Sequence, residues 1–391
     1  MKKLRVMITF GTRPEAIKMA PLIHECRRHA DSLETIVCTT GQHREMLDQV
    51  TDYFGIHVDR DLALMTPNQS PADFTARCLN ALDAVLAEYQ PDCIAVQGDT
   101  TTVLAAGMAA FYRRIPVIHV EAGLRTGNMQ APWPEEFNRR VAGLIAALHC
   151  APTAWAAENL LREGAAPQSV HVTGNTVIDA LLWTVARERK RADFWRKKYA
   201  FLGDRRLVLI TGHRRENFGA GMERVCTAIG IVAQRFPEVE FLYPVHLNPR
   251  VQEPVLRLLS GRKNVHLCPP ATYPEFVWLM DRATLILTDS GGVQEEAPSL
   301  RKPVLVTRET TERPEALEAG AVELVGTDEA RIVEQTGLLL SDAVAYHRRQ
   351  IAQNPYGDGH AAERIRELIW RQDWAKTAVF QLAHQTLSEA A

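Results

Sequence analysis

Short apolar segments of β-strand composition alternate along this chain with longer segments of helical pattern. The first half contains LRVMITF, ETIVCTT, DCIAVQG and PVIHV, and the second half contains LVLIT, EFLYPV, NVHL, TLILTD and KPVLV. The apolar residues in these segments are continuous and do not alternate with polar ones, which is typical of strands buried on both faces of a parallel sheet. The pattern therefore predicts an α/β fold of the doubly wound type.

The chain is long enough for two such domains, because its 391 residues exceed the size at which one hydrophobic core usually stops growing. The segments ITFGTRPEAI and LITGHRRENFGAG share one order of features: a strand, a glycine turn and a charged helix start. We therefore predict two similar α/β domains, over residues 1–172 and 173–365. The remaining residues, 366–391, are predicted to form a C-terminal helix that packs back on the first domain.

Composition argues against several classes of function. The formal net charge is -2, so there is no electrostatic case for binding nucleic acid or a membrane surface. The apolar N-terminal segment contains Arg5 and ends at Gly11, as expected of a first strand and not of a signal peptide. Seven scattered cysteines without a C-x-x-C pair fit a reducing compartment. We expect a cytoplasmic protein.

The first glycine turn, in FGTRPEAIK, carries an unusual set of charges. Thr12 and Glu15 fit a capping box, and Pro14 is well tolerated in a first helical turn. Arg13 and Lys18, however, lie near the positive end of the helix dipole, where cations are unfavourable. Either local carboxylates compensate them, or an anionic ligand binds at this strand-to-helix edge, where parallel α/β sheets bind ligands.

A second glycine turn lies in TLILTDSGGVQEEAP. Ser290, Gly291 and Gly292 could let backbone N–H groups approach an anion closely, and Glu296 could accept hydrogen bonds from a ribose. The segment matches neither the Walker A pattern nor G-x-G-x-x-G, so it supports neither a P-loop ATPase nor a classical dinucleotide site. The alternative is an ordinary glycine turn before a solvated acidic helix start.

Carboxylates follow the ends of apolar segments in the first half of the chain. Asp99 follows AVQG, Glu121 follows PVIHV, and Glu135 lies at a helix start in PWPEEF. At one edge of a parallel sheet these acids could converge on a ligand, repel one another and raise at least one pKa, which separates acid from base. Each alone could instead be a helix cap. His213, in GHRREN, could supply a proton or hydrogen bond at the corresponding edge of the second domain.

No metal ion or redox cofactor is expected from the sequence. H-x-x-x-H spacing does not occur, and His119 with Glu121 is too small a set of ligands. The chain also lacks the dinucleotide fingerprint, so no nicotinamide site is expected.

A set of ordered motifs carries a family resemblance: FGTRPEAIKMAPL, QHREMLDQV, GDTTTVLA, HVEAGLRTG, PWPEEFNR, VTGNTVIDAL, TGHRREN, YPVHLNP, LTDSGGVQEEAPSL and TTERPEAL. From about Leu4 to residue 359 the chain resembles the non-hydrolysing bacterial UDP-N-acetylglucosamine 2-epimerases. The resemblance implies the GT-B architecture, which has two Rossmann-like domains with an active site in the cleft, and a homodimer.

The resemblance also implies an activity, the reversible epimerisation at C2 of UDP-GlcNAc to UDP-ManNAc. Proton abstraction with anti elimination of UDP gives a 2-acetamidoglucal, and re-addition completes the inversion. The product would supply ManNAc-type sugars for cell-envelope polysaccharide synthesis. Alternatives are a hydrolysing relative that releases UDP and ManNAc, a GT-B glycosyltransferase, or a nucleotide-sugar-binding module without catalysis.

Site residues follow from the same resemblance, position by position. The implied catalytic residues are Asp99, Glu121, Glu135 and His213. The implied substrate-binding residues are Arg13, Lys18, His213, Phe276, Ser290, Gly291, Gly292, Glu296 and Arg313. A second, effector site for UDP-GlcNAc would use Gln42, Arg44, Glu136, Arg214 and His246, although these residues could instead buttress the cleft. Family members often carry a glutamine where this chain has Ala271, so backbone groups are expected to read the uracil there.

Overall fold

A computed structural model describes residues 3–41, 44–66 and 69–374 of the chain. The chain forms two compact units. Among the described residues, one comprises those up to Ala180 together with those from Gly357 to Trp374, and the other comprises Leu181–Tyr356. We call them unit 1 and unit 2. The domain boundaries expected from the sequence, after residues 172 and 365, stay predictions about functional domains.

Unit 1 contains a parallel sheet that, in the described residues, has seven strands in the order β3-β2-β1-β4-β5-β6-β7. Its strands are β1 (Leu4–Phe10), β2 (Leu33–Thr39), β3 (Arg60–Asp61), β4 (Cys93–Gln97), β5 (Val117–Val120), β6 (Leu148–Ala151) and β7 (Val170–Val172). The central strands are buried on both faces, as continuous apolar strands require.

Helices alternate with these strands: α1 (Arg13–Arg28), α2 (Arg44–Phe54), α3 (Pro71–Tyr89), α4 (Thr101–Tyr112), α5 (Glu135–Ile145) and α6 (Ala154–Arg162). The next helix, α7 (Thr176–Arg189), carries the chain from unit 1 into unit 2. The core of unit 1 includes Met7, Ile94 and Val96 from the sheet, together with Leu82 and Leu86 from α3.

Unit 2 repeats this plan with a six-stranded parallel sheet in the order β10-β9-β8-β11-β12-β13. The strands are β8 (Leu207–Thr211), β9 (Glu240–Pro244), β10 (Val265–Cys268), β11 (Leu285–Thr288), β12 (Val304–Val306) and β13 (Val322–Leu324). The helices are α8 (Ala192–Lys198), α9 (Ala220–Arg235), α10 (Pro249–Leu259), α11 (Tyr273–Arg282), α12 (Gly291–Glu296), α13 (Pro314–Glu318), α14 (Glu329–Ser341) and α15 (Ala343–Arg348). Two parallel sheets with interleaved helices confirm the predicted α/β fold class.

The chain then returns to unit 1, where the last described helix, α16 (Ala361–Arg371), contacts α1. The backbone N–H groups of Ala361 and Ala362 donate to the carboxylate of Asp179 on α7, at 3.2 and 2.9 Å. These bonds satisfy donors at the start of α16, which a helix leaves without internal partners. Within the described residues, no helix combines the length and the apolar character needed to cross a membrane.

Candidate active site

Strand order brings three chain segments of unit 1 together. β1 lies between β2 and β4, and β4 pairs with β5, so the carboxyl ends of β1, β4 and β5 are neighbours. The sheet reverses its order of growth at β1 and β4, and such switch points are where open α/β sheets bind ligands. The glycine turn at Gly11 follows β1, Asp99 follows β4 and Glu121 follows β5. The edge predicted from the sequence therefore holds these three segments.

The start of α1 forms the predicted capping box between Thr12 and Glu15. A Glu15 carboxylate oxygen accepts from the backbone N–H groups of Thr12 and Gly11, at 2.7 and 3.2 Å. The other oxygen accepts from the hydroxyl of Thr100, the cap of α4, at 2.8 Å. Burial raises the pKa of Glu15, and these hydrogen bonds oppose that rise. One carboxylate thus ties together the starts of two helices at the site edge.

Lys18 has a carboxylate partner within unit 1. Its Nζ donates to Oε2 of Glu121, and the two side chains are only 15% and 6% exposed. The same oxygen accepts from Nδ2 of Asn175 at 3.0 Å. Of the two alternatives that the sequence left open for Lys18, the structure contains the local carboxylate.

Glu121 has a strained backbone. Its φ is +61°, in the left-handed region that residues with a side chain rarely adopt. Such conformations cost on the order of 1–3 kcal/mol and cluster at active sites and ligand clamps. Held by its neighbours, this backbone directs the Glu121 carboxylate towards Lys18 and Asn175.

Asp99 is held by two residues of α5. Arg139 donates to Oδ2 of Asp99, and Nδ2 of Asn138 donates to its backbone oxygen at 2.9 Å. Burial raises the pKa of Asp99; the Arg139 charge opposes that rise, the Glu121 charge adds to it, and Lys18 opposes it. Repulsion between Asp99 and Glu121 thus acts in the direction predicted from the sequence, although burial is the larger cause.

The adjacent glutamates at the start of α5 have different environments. Glu135 is half-buried, and its carboxylate has no hydrogen-bond or ion-pair partner among the described residues. Glu136 is fully buried and accepts from the backbone N–H groups of Thr126 and Gly127, at 3.1 and 3.3 Å. It also lies 3.4 Å from a guanidinium nitrogen of Arg139. Glu136 therefore fixes the loop before α5, whereas Glu135 keeps its carboxylate available.

A buried histidine lies behind the Asp99 segment. Nε2 of His119 is 2.7 Å from the backbone oxygen of Gly98, and burial lowers the pKa of His119 to about 4. His149, its register partner on β6, has a pKa that burial lowers to about 3. Both imidazoles are neutral near pH 7. His119 consequently donates to Gly98 and helps to hold the turn that precedes Asp99.

In unit 2 the corresponding edge is organised by Asp289, which is fully buried after β11. Its Oδ2 accepts from the backbone N–H groups of His213 and Arg214, at 2.8 and 2.9 Å. The His213 ring stacks on His246 with centroids 5.5 Å apart. Burial lowers the pKa of His213, and Asp289 opposes that change. His213 is thus a neutral imidazole near pH 7, available as a hydrogen-bonding group.

The glycine turn after β11 leads directly into α12. Ser290 is the cap residue of this helix, and Gly291 is its first residue. A Cβ added at Gly291 would clash with the guanidinium of Arg313, so only glycine lets this arginine approach the turn so closely. Glu296 is buried, and its Oε2 faces Gly292. Ser290, Gly291, Gly292, Glu296 and Arg313 therefore lie together.

Arg313 belongs to a network of arginines and glutamates. Its Nε donates to Glu295 at 2.5 Å, and its Nη1 donates to Glu312. Glu312 also accepts from Arg308 at 2.9 Å, and Arg308 donates to Glu216 at 2.6 Å. Burial would raise the pKa of Glu312, but Arg313 and Arg308 lower it to about 2. Glu312 is therefore ionised near pH 7.

The other substrate-side residue, Phe276, is half-buried on α11. This helix begins after Thr272, which forms a capping box with Glu275. Ala271 precedes the cap and is half-buried. The backbone of this segment is therefore ordered by the helix start.

The residues of the predicted effector site lie in different parts of the chain. Gln42 lies outside the described residues, and Arg44 is the first residue of α2. Glu136 belongs to unit 1, and Arg214 and His246 belong to unit 2. A guanidinium nitrogen of Arg214 lies 3.7 Å from Glu312.

Several residues with a role in this geometry were not predicted as site residues. Asn175, Arg139, Asp289 and Glu312 each hold a predicted residue in place. All four lie within the quoted family segments or directly beside a predicted residue. Membership of those segments was the available signal, but nothing in the sequence shows which side chains they contact.

Two Rossmann-like parallel-sheet units, with paired carboxylates in one and an arginine-covered glycine turn in the other, define a GT-B-type enzyme. The family profile described as UDP-N-acetylglucosamine 2-epimerase matches residues 24–370. The chain belongs to the UDP-N-acetylglucosamine 2-epimerase family.

Individual relatives support this assignment over nearly the whole chain. A UDP-N-acetylglucosamine 2-epimerase of Yersinia pestis is 54% identical over 366 residues, which cover 93% of this chain and 97% of that protein. The Escherichia coli K12 enzyme of the same name is 53% identical over 371 residues, covering 94% and 98%. The crystal structure of UDP-GlcNAc 2-epimerase from Neisseria meningitidis bound to UDP-GlcNAc has a TM-score of 0.89 at 47% identity, covering 94% and 100%.

Proposed function

We propose that this enzyme interconverts UDP-GlcNAc and UDP-ManNAc by inverting C2 of the sugar, without releasing the free sugar as product. The observation that carries the proposal is the group formed by Lys18, Asp99 and Glu121 at one sheet edge of unit 1. A related enzyme with TM-score 0.89 has been solved with UDP-GlcNAc bound, which supports the choice of substrate.

The chemistry requires a base and an acid at C2. A carboxylate removes the C2 proton while the C1–O bond to UDP breaks, which leaves a 2-acetamidoglucal and UDP. UDP then adds back to C1, and a proton is delivered to the opposite face of C2. We assign these proton transfers to Asp99, Glu121 and Glu135, because general acid and base catalysis needs carboxylates of separated pKa.

The three carboxylates differ in a way that suits these roles. The pKa of Asp99 is raised, mainly by burial, so this group holds a proton more readily than an ordinary aspartate. Glu121 instead carries an ion pair to Lys18 and accepts a hydrogen bond from Asn175. Glu135 has a carboxylate that the described residues leave unbonded.

Departure of UDP requires stabilisation of the diphosphate charge. We assign this to Ser290, Gly291, Gly292 and Arg313, with Arg13 as a further cation, since fixed donors and cations at a leaving group lower the barrier. Glu296 would accept from the ribose, Phe276 and its neighbours would contact uracil, and His213 would hydrogen-bond to the substrate. Lys18 would contact the sugar as well as Glu121.

Regulation and assembly belong to the same proposal. Arg214 and His246 would contact a second UDP-GlcNAc acting as an effector, together with Gln42 and Arg44. Glu136, which is fully buried, would support that site by fixing the loop before α5. The protein would act in the cytoplasm, where its seven free cysteines stay reduced.

The proposed homodimer draws support from exposed apolar side chains on α4 and α5. Phe137 and Leu144, one heptad apart on α5, are 46% and 82% exposed, and Tyr112 at the end of α4 is 66% exposed. Since α4 packs on α5, these side chains belong to neighbouring helices of unit 1. Large exposed apolar residues on adjacent helices are candidates for a protein–protein contact, and a second copy is the partner we propose.

An NMR experiment in D2O tests the reaction. The purified protein is incubated with UDP-GlcNAc, and the products are followed over time. UDP-ManNAc that carries deuterium at C2 is the expected product, because the abstracted proton exchanges with solvent. Free ManNAc and UDP as the main products would instead establish a hydrolysing enzyme, and unchanged UDP-GlcNAc without deuterium would leave only a binding protein.

A further inference from the structure

Glu312 is shared by three arginines of unit 2. Nη1 of Arg313 donates to its Oε1, Nη2 of Arg214 lies 3.7 Å from the same oxygen, and Nη1 of Arg308 donates to Oε2 at 2.9 Å. The Glu312 side chain is 23% exposed, so solvent screens these pairs only in part. Two guanidinium groups therefore contact the same carboxylate oxygen.

The first of these arginines, Arg313, is fixed next to the glycine turn. Glu295, which is buried, accepts from its Nε at 2.5 Å, and its guanidinium covers Gly291. The contact with Glu312 completes the fixation from the opposite end of the guanidinium. Movement of the Glu312 carboxylate therefore removes one of the contacts that position a cation we assign to the diphosphate.

The second arginine, Arg214, belongs to the loop after β8. Its backbone N–H is held by Asp289, and its neighbour His213 stacks on His246. Its side chain is 36% exposed, so it is accessible to a ligand while it remains within ion-pair distance of Glu312. The other Glu312 oxygen, Oε2, accepts from Arg308, which is itself bonded to Glu216. Oε1 is therefore the oxygen that Arg214 and Arg313 share.

We propose that Glu312 is a positioning residue that couples Arg313 at the substrate diphosphate to Arg214 at the effector site. The inference rests on the proposed function. An anion that binds one arginine competes with Glu312 for that arginine. The Glu312 oxygen can then interact more strongly with the other arginine, so its ion pair changes. Because reciprocal changes in affinity define coupling between sites, the two arginines should not act independently.

A double-mutant cycle on UDP affinity tests this coupling. Isothermal titration with UDP gives Kd for wild type, Arg214→Ala, Arg313→Ala and the double variant, and the cycle is repeated in a Glu312→Gln background. In the Glu312 protein we expect the double variant to differ from the product of the single effects by about threefold or more, as interacting residues do. In the Glu312→Gln background we expect the change in Kd of the double variant to equal the product of the two single changes, which means no coupling.

Two further variants separate positioning from general damage. Glu323 of β13 also faces two arginines, Arg349 and, at 3.5 Å, Arg331, and it is 17% exposed. Glu323→Gln should leave the Arg214 and Arg313 coupling unchanged. Glu312→Asp keeps the charge but withdraws the carboxylate by one methylene, so it should also lose the coupling; it serves in place of Glu312→Gln if that variant unfolds.

The outcomes distinguish the inference from the proposed function. Multiplicative effects of Arg214→Ala and Arg313→Ala in the presence of Glu312, or coupling that persists in both Glu312 variants, would overturn the inference while leaving the UDP site intact. Wild-type protein without UDP affinity, or Arg313→Ala with unchanged affinity, would overturn the proposed site and the inference together.

Discussion

Lys18 and Glu121 are 103 positions apart in the chain and form an ion pair at the carboxyl edge of the unit 1 sheet. Lys18 lies in the second turn of α1, and Glu121 follows β5 in a left-handed backbone conformation. The pair places a cation against one of the carboxylates that we assign to proton transfer. It also accounts for a lysine near the positive end of a helix, because Glu121 supplies the compensating charge.

Glu121→Gln should abolish exchange at C2 while sparing the nucleotide. The amide keeps the shape of the carboxylate and can still accept from Asn175, but it cannot take up a proton. We expect turnover to fall by about 10²–10⁴-fold, the usual contribution of a general base. Deuterium incorporation measures the loss of exchange, and UDP affinity measured on the same preparation shows whether nucleotide binding is retained.

The matched control for this change is Glu158→Gln on α6, where Glu158 is exposed. It should keep wild-type turnover. Unchanged turnover in Glu121→Gln would remove Glu121 from the mechanism.

Arg139→Gln should change the pH dependence of turnover. The Arg139 charge lowers the pKa of Asp99 against the effect of burial, so its removal lets that pKa rise further. If ionised Asp99 is the base, the acidic limb of the kcat/KM profile moves to higher pH; if protonated Asp99 is the acid, the alkaline limb moves in the same direction. Arg140→Gln is the control, because Arg140 pairs with Glu136 and Glu163 and not with Asp99. A profile of Arg139→Gln that overlays the Arg140→Gln profile would contradict the prediction.

The strands that we predicted correctly are those formed by a continuous apolar segment, because such a segment indicates a strand buried on both faces. LRVMITF became β1 (Leu4–Phe10) without a change of bounds. The prediction missed β3 (Arg60–Asp61), which is two charged residues long, β6 and β7, which carry His149 and His171, and β13 (Val322–Leu324), which carries Glu323. These strands form because neighbouring strands supply hydrogen-bond partners, which no local pattern encodes.

The sequence predicted those parts of the site that depend only on where the strands end. Asp99 and Glu121 could be assigned to one edge because parallel strands end on the same side. Their partners could not be assigned, since Arg139 and Asn175 reach them only through the order of strands and the angle of helices. Glu135 and Glu136 show the same limit: successive helical residues point about 100° apart, and the sequence does not say which one faces the core.

Thr12→Ala and Arg13→Ala should separate stability from binding at the start of α1. Loss of the capping box should lower the free energy of unfolding by ~1 kcal/mol and leave UDP affinity within about twofold. Loss of the Arg13 charge should weaken UDP binding about tenfold, a charge-assisted hydrogen bond being worth about 1.5–3 kcal/mol. Denaturant unfolding and isothermal titration of both variants check the division. The opposite assignment of effects would exclude Arg13 from the diphosphate site.

Leu144→Glu should weaken self-association. A charge at a residue that is 82% exposed in the single chain costs little folding free energy, but it cannot be buried without a partner at a protein interface. We expect light scattering to shift from twice the chain mass of 43.7 kDa towards that mass at micromolar concentration. Leu256→Glu on α10, at a residue 50% exposed in unit 2, is the control and should remain dimeric. A dimeric Leu144→Glu protein would place the interface elsewhere.

Asp179→Asn should change the pH dependence of stability. Burial raises the pKa of Asp179 from 3.8 to about 6, and the N–H groups of Ala361 and Ala362 oppose that rise only in part. A carboxyl whose pKa is higher in the folded protein stabilises it most below its unfolded pKa, and this contribution is lost as pH rises through the folded value. The wild type should therefore lose on the order of 2–3 kcal/mol relative to the asparagine variant between about pH 4 and pH 7. Denaturant titrations of both proteins across that range measure the difference in stability directly. The asparagine variant also lacks one hydrogen-bond acceptor for α16, but this loss of stability does not vary with pH. A difference that stays constant from pH 4 to pH 7 would show that the Asp179 pKa is not raised in the folded protein.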